Sequence, residues 1–462
     1  MNAAQPRPEK FEPDAVAGLN PDFVELVHAA LDEANTDKAK ALAESLHWSD
    51  LADLLEKLAH DRRETLVEAL RAEFPANVLT ELDESVRERV IEQLGLHQLA
   101  NVVADLEADD VIEIVEELEN HEREEVLDAL SDDDRTLVEE GLSYPEDSAG
   151  RLMQRSVVAM PTHWNVGQAI DFMRETENLP RDFYDIFLVD PRHRPVGAIS
   201  LSRILSTRRH VALNALMSAD LKLIPADMDQ EEAAFLFRQR DLISAPVVDD
   251  AARLVGVITV DDIVDVIHEE HEEDIMRLGG VGEEDDLFAA VLDTTRSRFS
   301  WLMVHLVAAI IASGVINLFA GTIEQMVALA VLMPIVATMG GTASVQTLTV
   351  AVRAIAMREL TPANALRTIG KEIVVGFLNG LLFAVLIGVV AWLWFGSQAL
   401  GGVIALAIII NFIVAGLAGS ALPVYLQRLG FDPAVASSAI LTSITDVLGF
   451  YVFLALAALL LL

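Results

Sequence analysis

The chain has 462 residues, with 72 acidic against 33 basic side chains, a net charge of −39 and no cysteine. Without thiols, disulfides and thiolate metal sites are excluded, and so acidic a surface repels nucleic acid and draws cations. The imbalance is confined to one part: residues 300–462 hold five basic and five acidic side chains, whereas 1–299 hold 28 and 67.

Residues 1–19 are polar, lack the apolar stretch of a signal peptide and are expected to form a disordered tail. Residues 20–143 read as short amphipathic helices, such as SDLADLLEKLA, DRRETLVEAL and ADDVIEIVEEL, with Leu, Val or Ile at i, i+3/4 and i+7. Ser49, Asp83, Asp109 and Ser131 stand where helix caps are expected. The series predicts an all-α superhelical domain with an acidic outer face.

At 144 the pattern changes to α/β and repeats. FLVD at 187–190 recurs as PVVD at 246–249, and VGAISLSRIL at 196–205 as VGVITVDDIV at 255–264, both at an offset of 59. LMQRSVVAM at 152 recurs as LMSADLKLI at 216, so the first copy carries about five extra residues around Asn178–Asp182. Each copy reads helix, strand, strand, helix. The duplicated unit resembles a tandem CBS pair, with copies at 144–210 and 211–274. That resemblance implies a cleft for ATP or another adenine nucleotide, which Tyr184 and Arg203 are placed to line.

The second copy ends in VDDIVDVIHEEHEED. Asp262, Asp265, Glu270, Glu273 and Asp274 recur at three- to five-residue steps and fall on one helical face. Like charges at that spacing destabilise a helix unless neutralised, and a set of oxygen ligands selects hard cations such as Mg²⁺ or Ca²⁺. A solvated helix face is the plain alternative. Residues 275–299 are expected to form a connecting helix after a GGVG hinge, with Leu287, Val291, Leu292 and Phe299 on its apolar side.

Apolar runs near 300–320, 326–352, 373–395, 403–426 and 434–462 predict a five-helix membrane domain over 300–462. Arg296 and Arg298, the basic residues of 353–372, and Arg428 precede or follow alternate runs. By the positive-inside rule the N-terminal half is cytoplasmic and the C-terminus outside. In the second run Thr338, Thr342, Gln346 and Thr349 share a face beside Gly340–Gly341. His305, alone in the first run, is read as an interhelical hydrogen bond. In the last run Ser438, Thr442, Thr445, Asp446 and Gly449 share a face. A carboxylate at mid-membrane costs roughly 2.5–3.5 kcal/mol on insertion scales, so Asp446 points to an ion or proton path. A polar staple between helices is the alternative.

The order of these parts is similar to that of the MgtE family of magnesium channels. The junction YPEDSAGRLM at 144–153, RLVGVITVDDIVDVI at 253–267, GFDPAVAS at 430–437 and TDVLGFY at 445–451 carry the resemblance. It departs where the family has an asparagine after Gly340–Gly341 (here Thr342) and an asparagine and earlier proline before the acid (here Thr445 and Ala439). The resemblance implies a homodimer in a bacterial inner membrane, with Asp446 of each copy facing one pore and Asp432 at its inner mouth. It also implies regulation by Mg²⁺ bridging Asp262, Asp265, Asp229, Glu231, Asp241, Glu270, Glu273, Asp274, Asp109 and Glu113. A proton- or sodium-coupled carrier and a membrane-anchored CBS sensor remain as rival readings. No nucleophile motif or phosphate-cradling loop suggests an enzyme.

Overall fold

The computed structural model describes residues 19–104, 106–176, 179–180, 183–282, 291–435 and 438–461. Nearly all of the expected tail, most of the Asn178–Asp182 insertion and Leu287 lie outside them. The chain divides into two units, up to Glu270 and from His271 onward.

The first unit opens with ten short helices: α1 (Pro21–Asp32), α2 (Thr36–Ala43), α3 (Trp48–Lys57), α4 (His60–Leu70), α5 (Val78–Glu81), α6 (Glu84–Leu94), α7 (Leu96–Val103), α8 (Ala108–Glu116), α9 (Asn120–Ala129) and α10 (Asp132–Leu142). Their apolar stripes meet inside. Leu51, Leu54, Leu55, Leu66 and Leu70 are fully buried, each worth about 1.5–3 kcal/mol of removal from water. Ser131 caps α10 by accepting from Asp134 N at 3.2 Å. Asp83 holds the N-cap position of α6, but Ser49 and Asp109 lie one residue inside their helices, behind His47 and Glu107.

One device recurs in this domain. Arg63 donates back to the carbonyls of Leu55 at 2.7 Å and Leu58 at 3.2 Å, closing the C-terminal end of α3. Arg123 does the same to Val115 at 2.9 Å and Glu116 at 2.8 Å at the end of α8, and Arg87 reaches Leu79 O at 3.4 Å after α5. A helix end leaves carbonyls without partners, and a guanidinium eight residues on supplies donors to them.

The duplicated segment follows α11 (Ala149–Leu152). The first copy holds β1 (Ala159–Pro161), α12 (Val166–Glu175), β2 (Asp185–Val189), β3 (Pro195–Ser200) and α13 (Leu201–Ser206). The second holds β4 (Ile224–Pro225), α14 (Gln230–Arg240), β5 (Ser244–Val248), β6 (Leu254–Thr259) and α15 (Val260–Gly279), whose C-terminal turns enter the second unit. The sheets run β1-β2-β3 and β4-β5-β6, each with a parallel then an antiparallel pair. The 59-residue offset governs the detail: Asp185 pairs with Ser200 and Ser244 with Thr259, and both hairpins shift register, at Leu188/Val189 and Val247/Val248. The strands β1 and β4, of three and two residues, are too short to show a period and were not expected.

The junction 148–154 pairs with the second copy. Ala149 N donates to Met228 O at 2.7 Å, Gly150 N to Ala226 O at 2.8 Å and Gln154 N to Val257 O at 2.8 Å. Ala149 and Met153 are buried in the second copy's core with Ile224, Phe237 and Ile258. Gly150 is required here, because a Cβ would strike the Tyr144 ring and the Ala226 carbonyl.

In the second unit α16 (Val291–Leu318), α17 (Ala320–Gln325), α18 (Ala328–Ala356), α19 (Ala365–Phe395), α20 (Gln398–Arg428) and α21 (Ser438–Leu460) follow the end of α15. Five of them are long and apolar enough to cross a membrane, over Thr294–Leu318, Ala328–Ala356, Ala365–Phe395, Gln398–Arg428 and Ile440–Leu460. The first four outrun the apolar stretches in the sequence, whereas the last, Ile440–Leu460, is shorter than the run 434–462. A helix of 31 residues is about 46 Å long against a hydrocarbon core of about 30 Å, so its charged ends lie at the interface. The stretch 275–299 is shared between α15 and α16 at its described ends.

Arg63→Ala is expected to lower the unfolding free energy by about 2–3 kcal/mol, because a charged donor to buried carbonyls is lost. Arg62→Ala, which breaks an exposed pair with Asp32 and a long 3.4 Å contact with His28 Nδ1, is expected to cost under about 1 kcal/mol. Thermal unfolding of the two variants side by side checks the difference.

Candidate functional site

Carboxylates from the helical domain and the second repeat converge in the first unit. Asp109 and Asp110 stand in the first turn of α8, and Asp262 in the first turn of α15. Asp262 Oδ2 accepts from Thr259 N at 3.1 Å and Thr259 Oγ1 at 2.7 Å, which fixes its rotamer at the helix start. Burial, only partly opposed by those bonds, pushes Asp262 up to about 6, with Asp261 and Glu107 adding repulsion. Burial also pushes Asp110 up to about 7, with Glu113, Glu107 and Asp262 adding to it. Asp109 is held well above the usual carboxylate range by burial and then by Asp262, Asp110 and Glu107. Among the described residues its Oδ1 is buried without a hydrogen-bond partner.

A second group lies alongside. Burial first and Glu113 next raise Asp265 and Glu269, and burial with Asp265 raises Glu81. The basic side chain among them is Arg87, buried and bonded to Glu113 and Glu117. Among the described residues no three His, Asp or Glu side chains already close on a single metal position. The donor set nonetheless suits Mg²⁺: hard oxygens only, too far apart for a dry cage and near enough to hold an ion that keeps its waters. An orphaned, buried Asp109 oxygen is what such an ion would satisfy.

Other sequence candidates fall elsewhere. Asp229 caps α14, accepting from Glu231 N at 3.0 Å and Glu232 N at 3.3 Å, while Asp241 closes its far end in a left-handed conformation. An eleven-residue helix separates them by roughly 16 Å, so one ion cannot join both within a chain. Glu231 is exposed between them. Glu270 accepts from Gln230 Nε2 at 3.1 Å.

In the second unit Arg277 pairs with both Glu273 and Asp432. Asp274 is raised by burial and by Asp432 beside it. Asp432 Oδ1 accepts from Ala434 N at 2.8 Å, so it caps the 3₁₀ turn Pro433–Val435 rather than the last span, which starts at Ser438. Asp446 is half-buried in α21, and among the described residues no hydrogen bond or ion pair reaches its carboxylate. Gly449 and Thr445, on the same face, are buried; Thr445 Oγ1 bonds the carbonyls of Leu441 and Thr442. That part of the face packs within the chain because a threonine in a helix can satisfy its own hydroxyl. The Ser438 side chain lies outside the described residues. Thr338, Thr342, Gln346 and Thr349 form an exposed stripe on α18. His305 is exposed on α16 with no hydrogen bond among the described residues, contrary to the interhelical bond expected of it.

Between the two repeats a cleft of about 260 Å³ is lined by Asp185, Ser200, Arg203, Asp220, Lys222 and Ser244. Tyr184 lines a neighbouring recess of about 20 Å³, room for little more than a water. Asp185 and Ser244, which border both, are joined by a 2.8 Å hydrogen bond.

Sequence reasoning missed Glu107, Asp110, Glu269, Arg87, Arg277 and the buried amide of Asn411. Asp110 was legible only as the neighbour of Asp109. Nothing local marks Arg277 as the partner of a residue 155 positions on.

Sequence profiles described as MgtE intracellular N domain, CBS domain and divalent cation transporter match residues 46–147, 149–210 with 213–269, and 333–456. The magnesium transporter MgtE of Thermus thermophilus is 33% identical over 330 residues, 71% of this chain and 73% of that one. The chain belongs to the MgtE family. The Bacillus subtilis MgtE magnesium transporter is 29% identical over 316 residues, 68% of this chain and 70% of that one. Among solved structures, the cytosolic domain of the Mg²⁺ channel MgtE in complex with ATP is 29% identical with a TM-score of 0.49, covering 53% of this chain and 99% of that one. As an MgtE family member with five membrane-capable helices, the protein is a multi-pass membrane protein.

Because Asp262 and Asp110 titrate at about 6 and 7 when folded, against about 4 when unfolded, the folded state holds more protons. Stability of the first unit is therefore expected to fall as pH rises from about 4 to about 7. Asp262→Asn, which keeps an oxygen for Thr259, is expected to flatten that slope, as is millimolar Mg²⁺. Unfolding curves across pH, with and without Mg²⁺, check the sign.

Proposed function

We propose that this protein moves Mg²⁺ into the cytoplasm down its electrochemical gradient, and that cytosolic Mg²⁺ closes it. The observation that carries the reading is Asp446, a carboxylate without a partner among the described residues, in a helix long enough to span a bilayer. A homodimer gives that acid a counterpart, and two facing carboxylates hold a hydrated Mg²⁺ without stripping its waters. The exposed threonine and glutamine stripe of α18 supplies further oxygens to such a path. The soluble half lies in the cytoplasm of a bacterial inner membrane and the C-terminus outside, which the distribution of basic residues favours.

Regulation follows from the carboxylate seam. At low Mg²⁺ the acids about Asp109, Asp110, Asp262 and Asp265 repel, and the soluble domains loosen. At high Mg²⁺ bound ions neutralise them, and the closed arrangement gains population by its higher ion affinity. Glu273, Asp274 and Asp432 form the corresponding group at the inner mouth, where the Arg277 guanidinium stands in as a tethered cation. Asp229, Glu231, Asp241 and Glu270 fit this scheme as ligands across a dimer interface. An adenine nucleotide fits the cleft at Arg203 and Lys222, whose charges suit its phosphates. A channel of this kind needs no catalytic group.

Mg²⁺ flux into proteoliposomes tests the core of the proposal. Asp446→Asn is expected to abolish flux, and internal Mg²⁺ to suppress it in the unaltered protein. Flux that needs a proton or sodium gradient would favour a coupled carrier instead. Asp262→Asn with Asp265→Asn is expected to leave flux intact and remove most of the suppression. Arg277→Met, by freeing Asp432, is expected to raise flux a few-fold at low internal Mg²⁺.

A further inference from the structure

Asn411 lies in α20 within Ile408–Phe412, in the middle of a long apolar stretch, and is only 2% exposed. Burying an amide is unfavourable unless its groups are bonded. Here Nδ2 donates to the Val336 carbonyl of α18 at 2.9 Å, which fixes the orientation of the amide because a carbonyl only accepts. Oδ1 is buried with no partner among the described residues. A leucine has the same branching, though larger methyl groups, and would leave no orphaned oxygen, so stability alone does not account for asparagine at this position.

The amide is wedged where two other helices are reduced to backbone. A Cβ on Gly340 of α18 would overlap it, and a Cβ on Gly449 of α21 would stand 2.8 Å from Nδ2. Both glycines are adjacent to groups of the ion path. Gly449 is one turn from Asp446, and Gly340 is two residues from Thr342. Next to Gly340, Gly341 packs on Thr442, one turn before Asp446; a Cβ there would lie 3.1 Å from Thr442 Cγ2. One side chain therefore sets how closely α18 and α21 approach at the level of Asp446.

We propose that Asn411 is a positioning residue that fixes the spacing of α18 and α21 beside Asp446, and so determines which divalent cation the path admits. The inference rests on reading Asp446 as the path's acid. Mg²⁺ keeps a rigid octahedral shell and Co²⁺ exchanges ligands more readily at N/O sites, so a change in spacing alters their fluxes unequally.

The test uses the full chain in proteoliposomes, with Mg²⁺ and Co²⁺ fluxes measured separately and the thermal midpoint measured in detergent. Asn411→Leu is expected to change the Mg²⁺-to-Co²⁺ flux ratio at least threefold, and its larger methyl groups to lower the midpoint modestly. Gly449→Ala presses on the same amide from α21 and is expected to shift the ratio as well. Adding Asn411→Ala to Gly449→Ala makes room for the new methyl and is expected to bring the ratio back toward the starting value. A ratio unchanged in Asn411→Leu and Gly449→Ala overturns the inference, whatever the midpoint does. If Asn411→Leu does not fold, the Gly449 pair decides. Asp446→Asn is run alongside. Flux retained there removes the ion-path reading and this inference with it, whereas flux lost there with unchanged ratios at 411 and 449 removes this inference alone.

Discussion

Negative charge held out of water governs this protein. Asp109, Asp110 and Asp262 crowd one another at helix starts, and burial adds to the repulsion. Arg87 is engaged by Glu113 and Glu117 and does not compensate the aspartates. Such a seam is kept together by apolar packing on either side, by partial protonation, or by a bound cation. Each of these can be outweighed, so under the proposed regulation the joint between the helical domain and the second repeat is poised rather than locked. A poised joint is what a sensor of cation concentration needs, because an ion then only has to tip an equilibrium already near balance.

The same logic takes another form at the last span. Asp432 has a guanidinium from Arg277 and a backbone N–H, and is therefore well compensated. Asp446 has neither. Two acids fourteen residues apart thus differ in what they still lack among the described residues, and in the proposed path the second is the one that takes an ion. The helices around it approach through glycine: Gly376 and Gly380 lie against the backbone of α20 near Ile409 and Phe412, where a methyl would clash or press tightly. Close backbone packing of this kind holds a polar group at a set depth without a hydrophobic driving force between helices.

Much of the architecture was legible because it is periodic. The 59-residue offset anticipated the paired hairpins down to the shift in register, since both copies solve one folding problem with one set of residues. Helix spacing gave the superhelix, and apolar length gave five spans. What escaped was non-local. The acids of α8 meet Asp262 across some 150 residues, and no local pattern shows which of many acids are buried together. Arg277 and Asn411 were missed for the same reason, one hidden in a charged helix and the other a single polar residue in an apolar run. On the polar face of α21, Thr445 is buried against the chain, which a helical threonine tolerates because it can bond its own backbone.

The seating of Ala149 and Met153 in the second repeat has a consequence for how the protein is made. The second repeat is discontinuous in sequence, with the whole first repeat inserted between its opening residues and its strands. During synthesis the junction emerges long before its partners Met228 and Val257. The first repeat can complete its own sheet in that interval, but the helical domain stays tethered to an unfinished neighbour until more than a hundred further residues have left the ribosome. Closing so long a loop is slow and comes late. The acidic seam, which needs Asp262, therefore assembles after every element of the helical domain is already in place.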